Sequence, residues 1–152
     1  MYADIMLAVD LVDQASQAKA VRTAVALAEA FGARIHIITV VPDYGMSMVG
    51  GFFTREHERQ AILETDRALH VFAAANIPKG IKLQHIVGHG TIYREILRYA
   101  EETGCDLIVM ASHRPELEDY LLGPNAARVV RHATCSVMVV RDEGRRRPER
   151  VR

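Results

Sequence analysis

Apolar positions along the chain switch between two periods, and the switches mark out its elements. Residues 5–9 (IMLAV) are an unbroken apolar run ended by Asp10, the pattern of a strand buried on both faces. Over 13–31 the apolar side chains recur at Ala18, Val21, Val25, Ala28 and Phe31, one stripe of a helix that Gly32 is placed to stop. Residues 35–41 (IHIITVV) are short and β-branched and predict a second strand closed by Pro42. An aperiodic stretch over 42–53 follows, and Thr54 is placed to cap a long helix that carries Glu58, Ile62, Thr65, Leu69, Phe72 and Asn76 on one face. Residues 81–87 (IKLQHIV) alternate apolar with polar, as an edge strand does. Gly88-His89-Gly90 then predicts a tight turn into a helix that points Ile92, Ile96, Tyr99 and Ala100 inward and ends at Gly104. Residues 106–111 (DLIVMA) predict a fourth strand, 112–122 a second irregular stretch, 123–133 a short helix and 136–140 (SVMVV) a last strand.

Strands that alternate with helices, the central ones wholly apolar, call for a parallel sheet covered on both faces. Right-handed crossovers make it doubly wound. The expected architecture is an α/β fold, a single-domain three-layer α/β/α sandwich over 1–142 with five parallel strands in the order 3-2-1-4-5. Residues 143–152 are expected to be a basic, disordered tail.

The 152 residues suit one domain with a substantial core, since a chain of this size buries about 68–70% of its unfolded surface. Two cysteines exclude a disulfide scaffold, and no uncharged run exceeds eleven residues, too short to span a bilayer. With no basic leader at the N-terminus, the expected product is soluble and cytoplasmic, with no membrane insertion. Net charge is zero, but five arginines and one glutamate over 145–152 put +4 on the tail and so −4 on the body. An acidic body is a poor match for a phosphate backbone, so no nucleic-acid partner is expected.

In a doubly wound sheet, ligands bind beyond the carboxyl ends of the strands. Asp10, Val41, Gly88 and the pair Ala111-Ser112 stand at those ends. Asp10 has two readings: an acceptor for a base or ribose, or a cap for the helix after it. Gly123-Pro124-Asn125 opens a helix whose free amides favour an anion, and His113 and Arg114 can add positive charge. Asp10 and Asp13 could help hold Mg²⁺ on a nucleotide, although capping is the common fate of such aspartates. The other histidines lack metal-ligand spacing. Cys105 and Cys135 lie at the opposite end of the sheet and read as buried, inert thiols. The chain has no G-x-S-x-G elbow and no P-loop lysine, so catalysis is not expected. Met46, Met48, Val49, Phe52 and Phe53 crowd one loop, which could cover the ligand, contact a partner or pack on the neighbouring helix.

The stretch 111–141 (ASHRPELEDYLLGPNAARVVRHATCSVMVVR), with Ala8-Val9-Asp10 at the start, resembles the universal stress protein family, above all its Ser-His-Arg-Pro subgroup. The similarity runs from about residue 3 to 141. In that family a loop with three glycines and a following serine or threonine binds ATP in many members. Carried over, the resemblance implies that Asp10, with Val9 beside it, faces the adenine and that Val41 lines the base pocket. Ala111, followed by Ser112 and His113, stands at the first loop glycine, Arg114 at the second and Gly123 at the third. Pro124 stands at the serine or threonine, with Asn125 and Ala126 in the first helical turn. Pro124 removes a hydroxyl and an N–H from the anion site. Each lost bond to a charged group is worth about 1.5–3 kcal/mol, so the resemblance implies binding of ATP, ADP or AMP that is retained but weakened. It further implies a regulatory protein acting through conformation or an unidentified protein partner, and a homodimer built on the edge strand between Ser136 and Val140. The alternative left open by Pro124 is a dimeric interaction module that has lost ATP binding.

Overall fold

The computed structural model describes residues 1–42, 55–112 and 123–141. In chain order its elements are β1 (Asp4–Ala8), a 3-10 turn (Ala15–Gln17), α1 (Ala18–Phe31), β2 (Arg34–Pro42), α2 (Arg55–Asn76), β3 (Leu83–Gly90), α3 (Ile92–Glu102), β4 (Leu107–Ser112), α4 (Pro124–His132) and β5 (Ser136–Arg141). All pairings are parallel, and the order is β3-β2-β1-β4-β5, as expected. The continuous apolar runs follow from burial on both faces. Ile5, Leu7, Ile35, Ile37, Leu107 and Val109 point toward α1 and α2. Met6, Ile38, Ile86, Ile108 and Met110 point toward α3 and α4. No helix among the described residues is long and apolar enough to cross a membrane.

Three boundaries differ from the sequence pattern, each for a physical reason. The helix expected from residue 13 starts as a single 3-10 turn and becomes α1 only at Ala18, because side chains compete for the backbone of 10–14. At its far end Gly32 takes φ 64°, as a left-handed stop requires. Second, Gly88-His89-Gly90 is not a turn: β3 runs on to Gly90, whose partner is Pro42 in β2. Gly88 is there for close packing, since a Cβ at this position would sit 3.2 Å from Glu95 Cβ and 3.3 Å from Val40 Cγ2. Third, β1 ends at Ala8, although the Val9 N–H still donates to Ile38 O at 2.9 Å.

The pole of the sheet away from the strands' carboxyl ends is polar but fully bonded. His36 is buried in β2, with Nε2 2.8 Å from Asp4 Oδ1 and Nδ1 against Gln84 Oε1. Burial pushes the Cys105 thiol up to about 11. Cys135, half-buried rather than buried, is also raised by burial. Neither carries much thiolate at neutral pH.

On the outer flank, His70 of α2 stacks on His85 of β3, ring centroids 3.7 Å apart and 13° from parallel. Burial, and then His70, hold the His85 pKa below its ordinary 6.5, with Asp66 opposing. A base kept neutral by the fold takes a proton more readily when unfolded. Its contribution is therefore whole above 6.5 and is lost as pH falls through that value toward the lowered one. Thermal unfolding at about pH 7.5 and about pH 5 is expected to show a smaller acid-induced drop in Tm for His85→Phe, which keeps the stack without the titration, than for the natural chain. Equal drops would locate the acid sensitivity elsewhere.

Candidate functional site

A crevice of about 970 Å³ opens over the carboxyl ends of β1, β2 and β4, between α2 on one side and α3 with the start of α4 on the other. It forms there because β1 hands over to α1 on one face of the sheet while β4 hands over to α4 on the other. Ile38, Ile96 and Met110, which line it, belong to the core cluster under α3 and α4.

Of the residues expected at the site, Val9, Asp10, Val41, Ala111, Gly123, Asn125 and Ala126 line this crevice, as does Pro124. Ser112 closes β4 opposite Arg141 and is not among the lining residues. Asp13 is not at the crevice either; its Oδ1 accepts the Ser16 N–H at 3.4 Å. His113, Arg114, the methionine-rich loop, Thr54 and the tail lie outside the described residues.

Asp10 does not cap α1. Its Oδ1 accepts the Val12 N–H at 2.9 Å in an Asx turn, leaving Oδ2 without a hydrogen-bond partner among the described residues. At the other end of the crevice, Gly123 is the N-cap of α4 and Pro124 its first residue, with no side-chain capping bond. Ala127 N–H closes the first turn onto Gly123 O at 2.9 Å. The N–H groups of Gly123, Asn125 and Ala126 precede that bond and are the orphan donors of the helix start. Pro124 contributes none.

Other lining residues carried no readable signal or were missed. Thr39 and Val40 continue β2 into the crevice, and Ala61, Glu64, Thr65 and Ala68 form the α2 wall. Thr65 sits on the helical face read from the sequence, whereas Glu64 is exposed and looks like any solvated carboxylate. Gln17 was the readable one: it falls on the inward stripe of Ala20, Val21, Ala24 and Ala28 yet is polar, and it is 4% exposed. Among the described lining residues the charged groups are Asp10 and Glu64. Apolar walls, two carboxylates and a helix N-terminus can together hold a flat heterocycle with a polar, anionic tail.

Comparison with known proteins agrees with this fold. The model of the universal stress protein family matches residues 1–141. Universal stress protein G of Escherichia coli O157:H7 is 32% identical over 143 residues, covering 93% of this chain and all of that one. Among solved structures, hypothetical protein MJ0577 superposes with a TM-score of 0.78 at 23% identity, over 97% of this chain and 99% of the other. A universal stress protein in complex with cAMP gives 0.60 at 21% identity, over 93% and 98% of the two chains. One from Archaeoglobus fulgidus in complex with dAMP gives 0.62 at 18% identity, over 92% and 98%. A family match over almost the whole chain, joined to a relative aligned end to end, means that this chain belongs to the universal stress protein family.

Proposed function

We propose that the crevice binds an adenine nucleotide, ATP or a related one, and that the protein is a regulatory module which reports that ligand through conformation or partner contact. The observation that carries the reading is the juxtaposition of a nucleotide-sized apolar crevice with Asp10 at one end and the orphan N–H groups of α4 at the other. Relatives of the same fold in complex with cAMP and dAMP support it. The base would lie against Val9 and Val41, Asp10 would accept from it or from the ribose, and the phosphates would face Gly123, Asn125 and Ala126. Mg²⁺ fits only as a companion of the phosphates. The described residues hold no group of three metal-ligating side chains, and Asp10 and Glu64 are the lining carboxylates.

The module is a homodimer in this reading, paired through β5. That strand is an edge of the sheet beside β4 with no second strand partner among the described residues, and Val137, Met138 and Val139 are half-buried on it, an edge that invites pairing. Pro124 favours a second reading, a nucleotide-independent dimeric module, because it leaves the anion site without the N–H and the hydroxyl that a serine or threonine there would supply. Mass spectrometry of the native protein reads both properties together. The expected result is a dimer carrying adenine nucleotide. A ligand-free dimer that gives no heat with AMP or ATP would leave the second reading in place, and a monomer would remove the pairing.

A further inference from the structure

Gln17 has more contacts than its place at the start of a helix calls for. It occupies the N-cap of α1 but makes no capping bond to that helix. Its side chain turns back onto the segment that follows β1. Oε1 accepts the Asp10 N–H at 2.5 Å, and Nε2 donates to Asp10 O at 2.6 Å and to Asp13 O at 2.5 Å. It is buried at 4% exposure, on the crevice lining, with Ala15 and Ala18 exposed on either side of it.

The reason lies in where β1 runs out. Val9, one residue past the end of β1, still donates to Ile38 O of β2, and beyond it the peptide of Asp10 has no strand partner among the described residues. Its N–H and C=O are only part-buried, yet backbone groups that water reaches incompletely still need partners. A carboxamide offers an acceptor and two donors, and Gln17 uses them on the backbone N–H and C=O of Asp10 and on the C=O of Asp13. Glutamate could take the N–H but would set a carboxylate against two carbonyl oxygens. Leucine would fill the space and satisfy nothing.

We infer that Gln17 is a positioning residue for the ligand contact of Asp10: its amide fixes the Asp10 backbone, and the Asx turn to Val12 then holds the Asp10 carboxylate at the crevice it lines. The inference rests on the nucleotide reading above, because it takes Asp10 to be a ligand contact.

The test uses the full chain, AMP as the calorimetric probe, and amide exchange as a readout that needs no ligand. Gln17→Leu is expected to weaken AMP binding about tenfold. In an Asp10→Ala background the same change is expected to alter it less than about twofold, since Gln17 acts through Asp10. The Asp10 amide is expected to exchange about tenfold faster or more in Gln17→Leu, with those of Ile108 and Val109 in β4 unchanged. Gln17→Met, unbranched and of similar length, takes the place of Gln17→Leu if that variant does not fold. Equal weakening in both backgrounds, or unaltered Asp10 exchange while the natural chain binds AMP, overturns the role of Gln17 alone. A natural chain that does not bind AMP overturns the nucleotide reading, and the positioning role falls with it. The exchange data would then still tell whether the clamp exists.

Discussion

Replacing Pro124 with serine is expected to tighten binding of AMP and ATP by about ten- to a hundredfold. Pro124 is the first residue of α4 and lines the crevice between Gly123 and Asn125. At that place in a helix an N–H has no internal partner, which is why proline is tolerated there and why its loss is felt only by a ligand. Serine returns two donors, the amide and the hydroxyl, to a spot where the helix dipole already favours negative charge. Pro124→Ala returns only the amide, so its affinity is expected to fall between the two. Folding moves the other way: the freed chain gains entropy when unfolded, and both variants are expected to lose up to about 1 kcal/mol of stability. Calorimetric titration together with a denaturant series checks both halves. Equal affinities across the three proteins would mean that the phosphates do not meet the start of α4.

Sequence reasoning works where burial leaves one pattern possible. Residues 5–9 and 107–111 could be read as central strands because both of their faces are covered, which disfavours polar residues. The topology then puts Asp10, Ala111 and Gly123 at one edge with no further information. Glycine is harder to read. Gly32 and Gly88 look alike in a sequence, yet the first supplies a left-handed stop and the second clears room for Glu95, so the end of β3 went unread. The start of α1 was hidden for another reason. Whether Gln17 caps its own helix or turns back to Asp10 depends on where β1 releases the chain, a tertiary fact. The α2 wall was least legible, because Ala61 and Glu64 face the crevice across space and carry no local mark of it.

The crevice has a consequence for stability that two isoleucines are expected to reveal. Ile38 in β2 and Ile108 in β4 are 1% and 0% exposed and belong to one core cluster. Ile38 lies in register with Ala8 and Ile86, and Ile108 with Met6 and Val137. Ile38 also lines the crevice, whereas Ile108 is not among its lining residues. Truncating a buried isoleucine to alanine costs about 2–5 kcal/mol, the spread reflecting how much closed void remains. At Ile108 the void is sealed by α3 and α4, so Ile108→Ala is expected near the top of that range, about 4–5 kcal/mol. At Ile38 the lost volume merges with a crevice that water already reaches. Ile38→Ala is therefore expected to cost mainly the transfer of the missing carbons, about 2–3 kcal/mol. At roughly 2–4 °C per kcal/mol the two midpoints should separate clearly, and denaturant melts of both variants measure the gap directly. If Ile38→Ala proves the costlier of the two, the crevice does not reach down to the sheet, and the base has no floor there to rest on.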